Sequence, residues 1–248
     1  MTKRRPLLYN CRRHSLVLNR CSRRSLRTPF IKSRSTGTGK HLAKKYTLYE
    51  ESMPPSLHNL LYGPGSLNTK LFLAINHAHH PLLDPVMQAL ITLGSSRMVY
   101  LYLGILAVAA LSNRKMMPLS HVFLFAFATA VGMLLQAGLK DYFHVPRPAA
   151  ALGLDQVRVL GEVKLRNALP SGHATFAALL ATSVGWRRGW KWKLPLWSFV
   201  SLVCWSRIYV GAHYPLDVVA GTLTGAFAAS ACWMVYENVS GGRGKRGR

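Results

Sequence analysis

From residue 98 onward the chain alternates long apolar runs with short polar joints, and the runs are too long for strands. MVYLYLGILAVAALSN (98–113) is closed by RK, and the uncharged MMPLSHVFLFAFATAVGMLLQAGL (116–139) follows. At a rise of about 1.5 Å per residue, a helix of that second length crosses about 30 Å of hydrocarbon. HATFAALLATSVGW (173–186) is short for a crossing and has to use its flanks. WKLPLWSFVSLVCW (192–205) and the uncharged VVAGTLTGAFAASACWMVY (218–236) complete five predicted spans. The expectation is an all-α, polytopic membrane bundle of five to six spans.

The sixth span depends on LFLAINHAHHPLLDPVMQALITLGSS (71–96). His77, His79, His80 and Asp84 suit a lipid-facing helix poorly, which leaves an interfacial amphipathic helix, a re-entrant turn, or a first span that faces other helices. The histidines fit a wet interface better than a metal site. The joints RK (114–115) and RRGWKWK (187–193) and the C-terminal tail fall on one side if the five spans alternate, which the positive-inside rule makes the cytoplasm. A basic N-terminus on that side requires the sixth span, and charge therefore favours six.

Composition agrees with a membrane protein: 50% of the 248 residues are hydrophobic and 16% charged. The net charge of +24 is concentrated at the ends: of 32 Lys and Arg, 14 lie in residues 1–52 and four in GGRGKRGR. The leader 1–52 is basic, poor in acids, and expected to be disordered. It reads as an anionic-lipid-binding tail, an organellar transit peptide, or translated sequence ahead of a start at Met53; its scarcity of aromatics argues against nucleic acid. Cys11, Cys21, Cys204 and Cys232 have no metal-ligand spacing and read as free thiols. Trp186, Trp190, Trp192 and Trp197 read as interfacial anchors, and Gly221 and Gly225 as a close-packing pair within the bundle, with a dimer face as the alternative.

Three polar clusters fall at the outward ends of these spans. KDYFHVPRP carries Lys140 and Arg147; LPSGHA places Ser171, Gly172 and His173 where a helix starts; SRIYVGAHYPLD holds Ser206, Arg207, His213 and Asp217. An ionisable residue within a membrane helix costs roughly 2.5–3.5 kcal/mol, so such residues mark function. The cations and the helix start suit phosphate oxygens. Asp217, four residues after His213, is placed to fix its tautomer, which leaves the other imidazole nitrogen as nucleophile. His173 is free to protonate a leaving oxygen. Asp141 and Asp155 alone make a thin magnesium site, and neither metal nor cofactor is expected. Taken singly, each residue has a plainer role: Lys140 and Arg147 snorkelling, His213 and Asp217 capping, Ser171 as an ordinary N-cap.

K-x6-RP (140–148), PSGH (170–173) and SR-x5-H-x3-D (206–217) together resemble the three motifs of the type 2 phosphatidic acid phosphatase superfamily, in order and between matching apolar spans. The resemblance covers about residues 70–238. It implies His213 as nucleophile, Asp217 as its orienting partner, His173 as acid, and Lys140, Arg147, Ser171, Gly172 and Arg207 as phosphate ligands. It also implies a multi-pass lipid phosphatase of the inner membrane, with the active site at the outer face. Undecaprenyl diphosphate is the expected substrate; phosphatidic acid, phosphatidylglycerol phosphate and lipid A are alternatives. Soluble acid phosphatases and vanadium haloperoxidases share the motifs but not the apolar spans. Outside enzymes, the rival is a lipid carrier with a degenerate anion site. The expected organisation is thus a leader (1–52), an interfacial or first-span segment (53–96), a catalytic bundle (97–238) and a basic cytoplasmic tail (239–248). Arg158, Lys164 and Arg166, in the outward segment 149–168, read equally as headgroup contacts and as a solvated face.

Overall fold

A computed structural model describes residues 53–114 and 117–245. The leader and the last three residues lie outside this range, and with them the readings of residues 1–52. Among the described residues the secondary structure is entirely helical, without strands. The elements are α1 (Pro55–Tyr62), α2 (Leu67–His77), α3 (Asp84–Leu93), a 3-10 turn (Ser96–Met98), α4 (Val99–Ser112), α5 (Leu119–Phe143), α6 (Pro148–Leu152), α7 (Gly172–Gly185), α8 (Trp190–Tyr209) and α9 (Pro215–Lys245).

The centre of the bundle is α7. Ten of its 14 residues are buried, and α5, α8 and α9 pack around it. A helix that is apolar on every side is an interior helix, and α7 achieves this with small residues: Ala174, Ala177, Ala178 and Ala181 are all essentially inaccessible. The outside of the bundle is also apolar. Leu101, Ile105 and Val108 on α4, Phe123 and Phe127 on α5, and Leu223 and Phe227 on α9 are each at least half exposed. Apolar surface of this extent is what lipid requires.

Gly221 and Gly225 explain how α9 approaches α7 so closely. A Cβ at Gly221 would collide with the Ser171 carbonyl oxygen, and one at Gly225 with that of Thr175. The small-residue face is therefore used inside the molecule.

Among the described residues two stretches are long and apolar enough to cross a membrane unaided, Leu119–Leu152 and Pro215–Ser240. A third crossing results if α3 and the segment Ser96–Ser112, bent by 55° at the break between them, form one broken span. The 14 residues of α7 extend about 21 Å, too short to cross alone, and α8 carries Lys191, Lys193 and Arg207. The ambiguous stretch 71–96 is not one helix. It breaks after His77 and resumes at Asp84, where Pro85 sits in the first turn, a position that tolerates proline because its missing N–H would be unpaired anyway.

Trp190, Trp192 and Trp197 are exposed at one end of α8. Trp186 instead donates from Nε1 to Glu237 Oε1 (2.8 Å) and stacks on Trp233. Cys204 and Cys232 are free thiols.

Candidate active site

The end of α5 is set by His144, whose left-handed backbone (φ 47°) stops the helix one turn after Lys140. The chain then runs extended to Arg147, held against the returning loop by Arg147 N–H to Leu165 O (3.0 Å) and Ala168 N–H to Val145 O (2.9 Å). Arg147 is only 7% exposed. Its Nε donates to Arg166 O (2.9 Å) and its Nη1 to Ala212 O (3.1 Å), with Nη1 also 3.5 Å from His213 Nε2. The guanidinium is therefore fixed by backbone carbonyls, leaving its charge unneutralised beside the imidazole.

Ser171 is the N-cap of α7, but its side chain makes no capping bond. Its N–H donates to Asp217 O (2.9 Å), tying the start of α7 to the first turn of α9. By helix geometry the next N–H groups, at Gly172 and His173, have no intrahelical acceptor. Ser171 Oγ and Arg207 Nε are buried without a protein partner, so the site presents hydrogen-bonding capacity that the fold itself does not consume.

The turn between α8 and α9 brings the third cluster in. Ala212 and His213 N–H both fold back on Arg207 O (3.1 and 3.3 Å). Gly211 permits this with φ 77°, where a Cβ would strike the Arg158 carbonyl. His213 is 1% exposed, and its Nδ1 lies 3.5 Å from Asp217 Oδ2, too long for a full hydrogen bond. The carboxylate is otherwise engaged: Oδ2 accepts from Tyr214 N–H (2.8 Å) and Oδ1 from the Tyr62 hydroxyl (3.0 Å). Burial, reinforced by Arg147 and Arg207, holds the His213 pKa well below the ordinary histidine value, so the ring is neutral at pH 7.

Lys140, Arg147, Gly172, His173, Arg207 and His213 line one cavity of about 740 Å³. Every residue expected from the sequence is thus at one place, with Ser171 and Asp217 directly behind the wall. Among the described residues no group of His, Cys, Asp and Glu is arranged to hold a metal.

Of the cations in segment 149–168, Lys164 lines the cavity beside Glu162, 3.3 Å away. Arg158 is turned aside, donating to both oxygens of Asp84 (3.1 and 2.5 Å). Asp84 Oδ1 also accepts from Tyr209 Oη (2.7 Å), and Asn76 ties the same loop through Arg158 O and N–H (2.8 and 2.9 Å). His77 Nε2 donates to Gln156 O (2.9 Å).

Sequence reasoning missed Tyr62, which lies 155 residues from its partner. It also missed Gln136, which lines the cavity and donates to Pro170 O (3.3 Å), and Asn68, whose Oδ1 accepts from Leu216 N–H (2.9 Å) at the start of α9. Nothing local distinguishes Tyr62 or Asn68; Gln136, as a polar residue in an otherwise apolar run, carried the one available signal.

A bundle with three cations and two histidines at one end of its helices is a phosphate-handling membrane protein. The sequence profile described as PAP2 superfamily matches residues 121–240, and the chain belongs to that superfamily. It is 28% identical over 176 residues to a lipid A 4'-phosphatase of Porphyromonas gingivalis, covering 67% of this chain and 71% of the relative. It is 30% identical to the bacitracin transport permease protein BcrC of Bacillus licheniformis over 66% of this chain and 77% of the relative. An undecaprenyl-diphosphatase of Sulfolobus acidocaldarius is 29% identical over 64% of this chain and 74% of its own length. Among solved structures, Aquifex aeolicus LpxE superposes with a TM-score of 0.60 at 31% identity, covering 68% of this chain and 96% of LpxE. A Bacillus subtilis PAP2-type phosphatidylglycerolphosphate phosphatase shares the fold (TM-score 0.58, 19% identity, 81% and 96% covered). Family and apolar helices together make this a membrane protein.

Proposed function

We propose that the protein is a lipid phosphatase that works through a phosphohistidine on His213, with undecaprenyl diphosphate as its substrate. The observation that carries this is the placement of His213 Nε2, 3.5 Å from the buried Arg147 guanidinium in a cavity shared with Lys140, Arg207 and His173.

His213 Nε2 attacks the terminal phosphorus as the bond to the leaving oxygen breaks, and His173 supplies the proton that oxygen needs. The cations and the first N–H groups of α7 hold the phosphoryl oxygens where charge develops. Water then attacks the phosphorus–nitrogen bond and gives its proton to His173, releasing inorganic phosphate and restoring neutral His213. Asp217, 3.5 Å from Nδ1, supports the ring as it becomes cationic; long contacts of this kind tighten when substrate is bound. Three cations supply the charge stabilisation that a metal supplies elsewhere.

The broken pair formed by α3 and α4, together with α5, α7, α8 and α9, makes five crossings in this reading, not the six that terminal charge favoured. The reason is that α1 and α2, of 8 and 11 residues, lie at the active-site end against Asp217 and Leu216. Loop charge puts that end outside the cytoplasmic membrane, where a carrier lipid is recycled. Phosphatidic acid, phosphatidylglycerol phosphate and lipid A remain the alternative substrates, and a carrier with a silent anion site the alternative class.

Phosphate release in detergent with EDTA, from undecaprenyl diphosphate and phosphatidic acid in parallel, tests the proposal, with His213→Ala as control. Release that survives EDTA and disappears in the variant supports it. Release that EDTA abolishes, or that His213→Ala retains, contradicts it.

A further inference from the structure

The catalytic cavity has a second polar end that the motifs do not supply. Its wall includes Gln88 and Thr92 from α3 and Ser95, Ser96 and Arg97 from the break before α4. This is the break at which α3 and the segment Ser96–Ser112 bend by 55°. Non-helical backbone within a membrane survives only where it is buried in protein or lines a cavity, and broken helices recurrently hold ligands there.

Its depth follows from α5, which runs along the same wall. Met133, Gln136 and Lys140 all line the cavity, and seven residues of helix from Met133 to Lys140 span about 10 Å. Lys140 marks the catalytic end. Met98, next to Arg97, and Met133 belong to the same wall, so one continuous cavity joins the break to Lys140 and the histidines.

Arg97 is exposed, and among the described residues no carboxylate pairs with it. The four polar neighbours on the wall can donate hydrogen bonds but bring no negative charge. Arg97 lines the cavity that also holds Lys140, Arg147 and Arg207, and its planar fork matches a phosphate.

The geometry points to a second phosphate subsite at the break, centred on Arg97, that holds the phosphate retained by a lipid diphosphate while His213 takes the terminal one. This rests on the reading of the chain as a lipid phosphatase and deepens it by selecting diphosphates over phosphomonoesters. Hydrolysis breaks the bond between the terminal phosphorus and the bridging oxygen. That oxygen and its proton stay with the lipid, and the retained phosphate then titrates as a monoester carrying more negative charge. Arg97 therefore favours the leaving group, an interaction that strengthens along the reaction.

The test compares Arg97→Gln with the full-length wild type on a prenyl diphosphate and on phosphatidic acid. The expected result is a fall of about tenfold or more in kcat/KM for the diphosphate, with the monoester changed by less than about threefold. Inorganic phosphate, which needs only the catalytic end, should inhibit both proteins equally. Prenyl monophosphate, the retained product, should inhibit the variant about tenfold more weakly. Arg97→Lys, which keeps the charge without the fork, should lose less, and it reads the same ratio if the glutamine variant does not fold. Equal losses on both substrates, or no loss on either, would overturn the subsite. If the wild type releases phosphate from neither lipid, the phosphatase reading itself fails, and the subsite with it.

Discussion

The Tyr62 hydroxyl donates to Asp217 Oδ1 at 3.0 Å, joining a short helix near the start of the described chain to the carboxylate beside His213. Tyr62 is 3% exposed and packs edge-on against Tyr214. With Tyr214 N–H on Oδ2, both carboxylate oxygens are held in place. Tyr62→Phe keeps the ring packing and removes one charge-assisted bond, and such bonds contribute about 1.5–3 kcal/mol. The expected outcome is a fall of about tenfold in kcat with KM changed little, measured on detergent-solubilised protein. A purely structural role would lower the yield and Tm but leave kcat of the folded fraction intact.

The low pKa of His213 predicts a pH signature. Its ring is neutral in the folded protein and free to protonate near 6.5 when unfolded, so the unfolded state binds more protons below that pH. The sign follows: this group's contribution to stability is fully present above about pH 6.5 and is lost as pH falls toward the folded value. Thermal unfolding between pH 7 and 5 should show Tm falling in the wild type, with a shallower slope in His213→Asn. The acid limb of kcat/KM should lie below the ordinary histidine range.

Gly225→Ala places a methyl group against the Thr175 carbonyl. Backbone cannot move aside as a flexible side chain can, and overpacking of this kind costs about 1–3 kcal/mol. Tm should drop by several degrees. Oligomeric state by light scattering should not change, because this face is occupied within the molecule.

Asp84→Asn weakens the clamp that holds Arg158 and the loop behind His213. The pair is partly exposed, with side chains at 30% and 20%, so stability should move little. KM should rise severalfold as the loop carrying Lys164 loses its anchor, with kcat nearly preserved; an unchanged KM would remove the loop from substrate binding.

The three motifs were legible in the sequence because each is local: Lys140 and Arg147, Ser171 to His173, and Arg207 to Asp217 fall within single joints, and the apolar runs between them imply a common face. What completes the site was not legible. Tyr62, Asn68 and Asn76 act across 133 to 155 residues, and hydrogen bonding at that separation leaves no periodicity. The stretch 71–96 was ambiguous because its polar residues serve two short helices: Asn76 and His77 close α2, and Asp84 opens α3 to meet Arg158 and Tyr209. The bend at 94–98 was hidden because Gly94, Ser95 and Ser96 close the ambiguous stretch 71–96 just before the apolar run that begins at residue 98. The close approach of α9 to α7 was legible, since two glycines four residues apart on an apolar helix have few other uses.

The central claim is covalent catalysis by His213. The direct measurement is rapid quenching of the enzyme with lipid diphosphate labelled at its terminal phosphorus, followed by denaturing electrophoresis. The account predicts a label on the protein that survives base, is lost in acid, and is absent from His213→Ala. Turnover without such a label, or an equal label on His213→Ala, would contradict it.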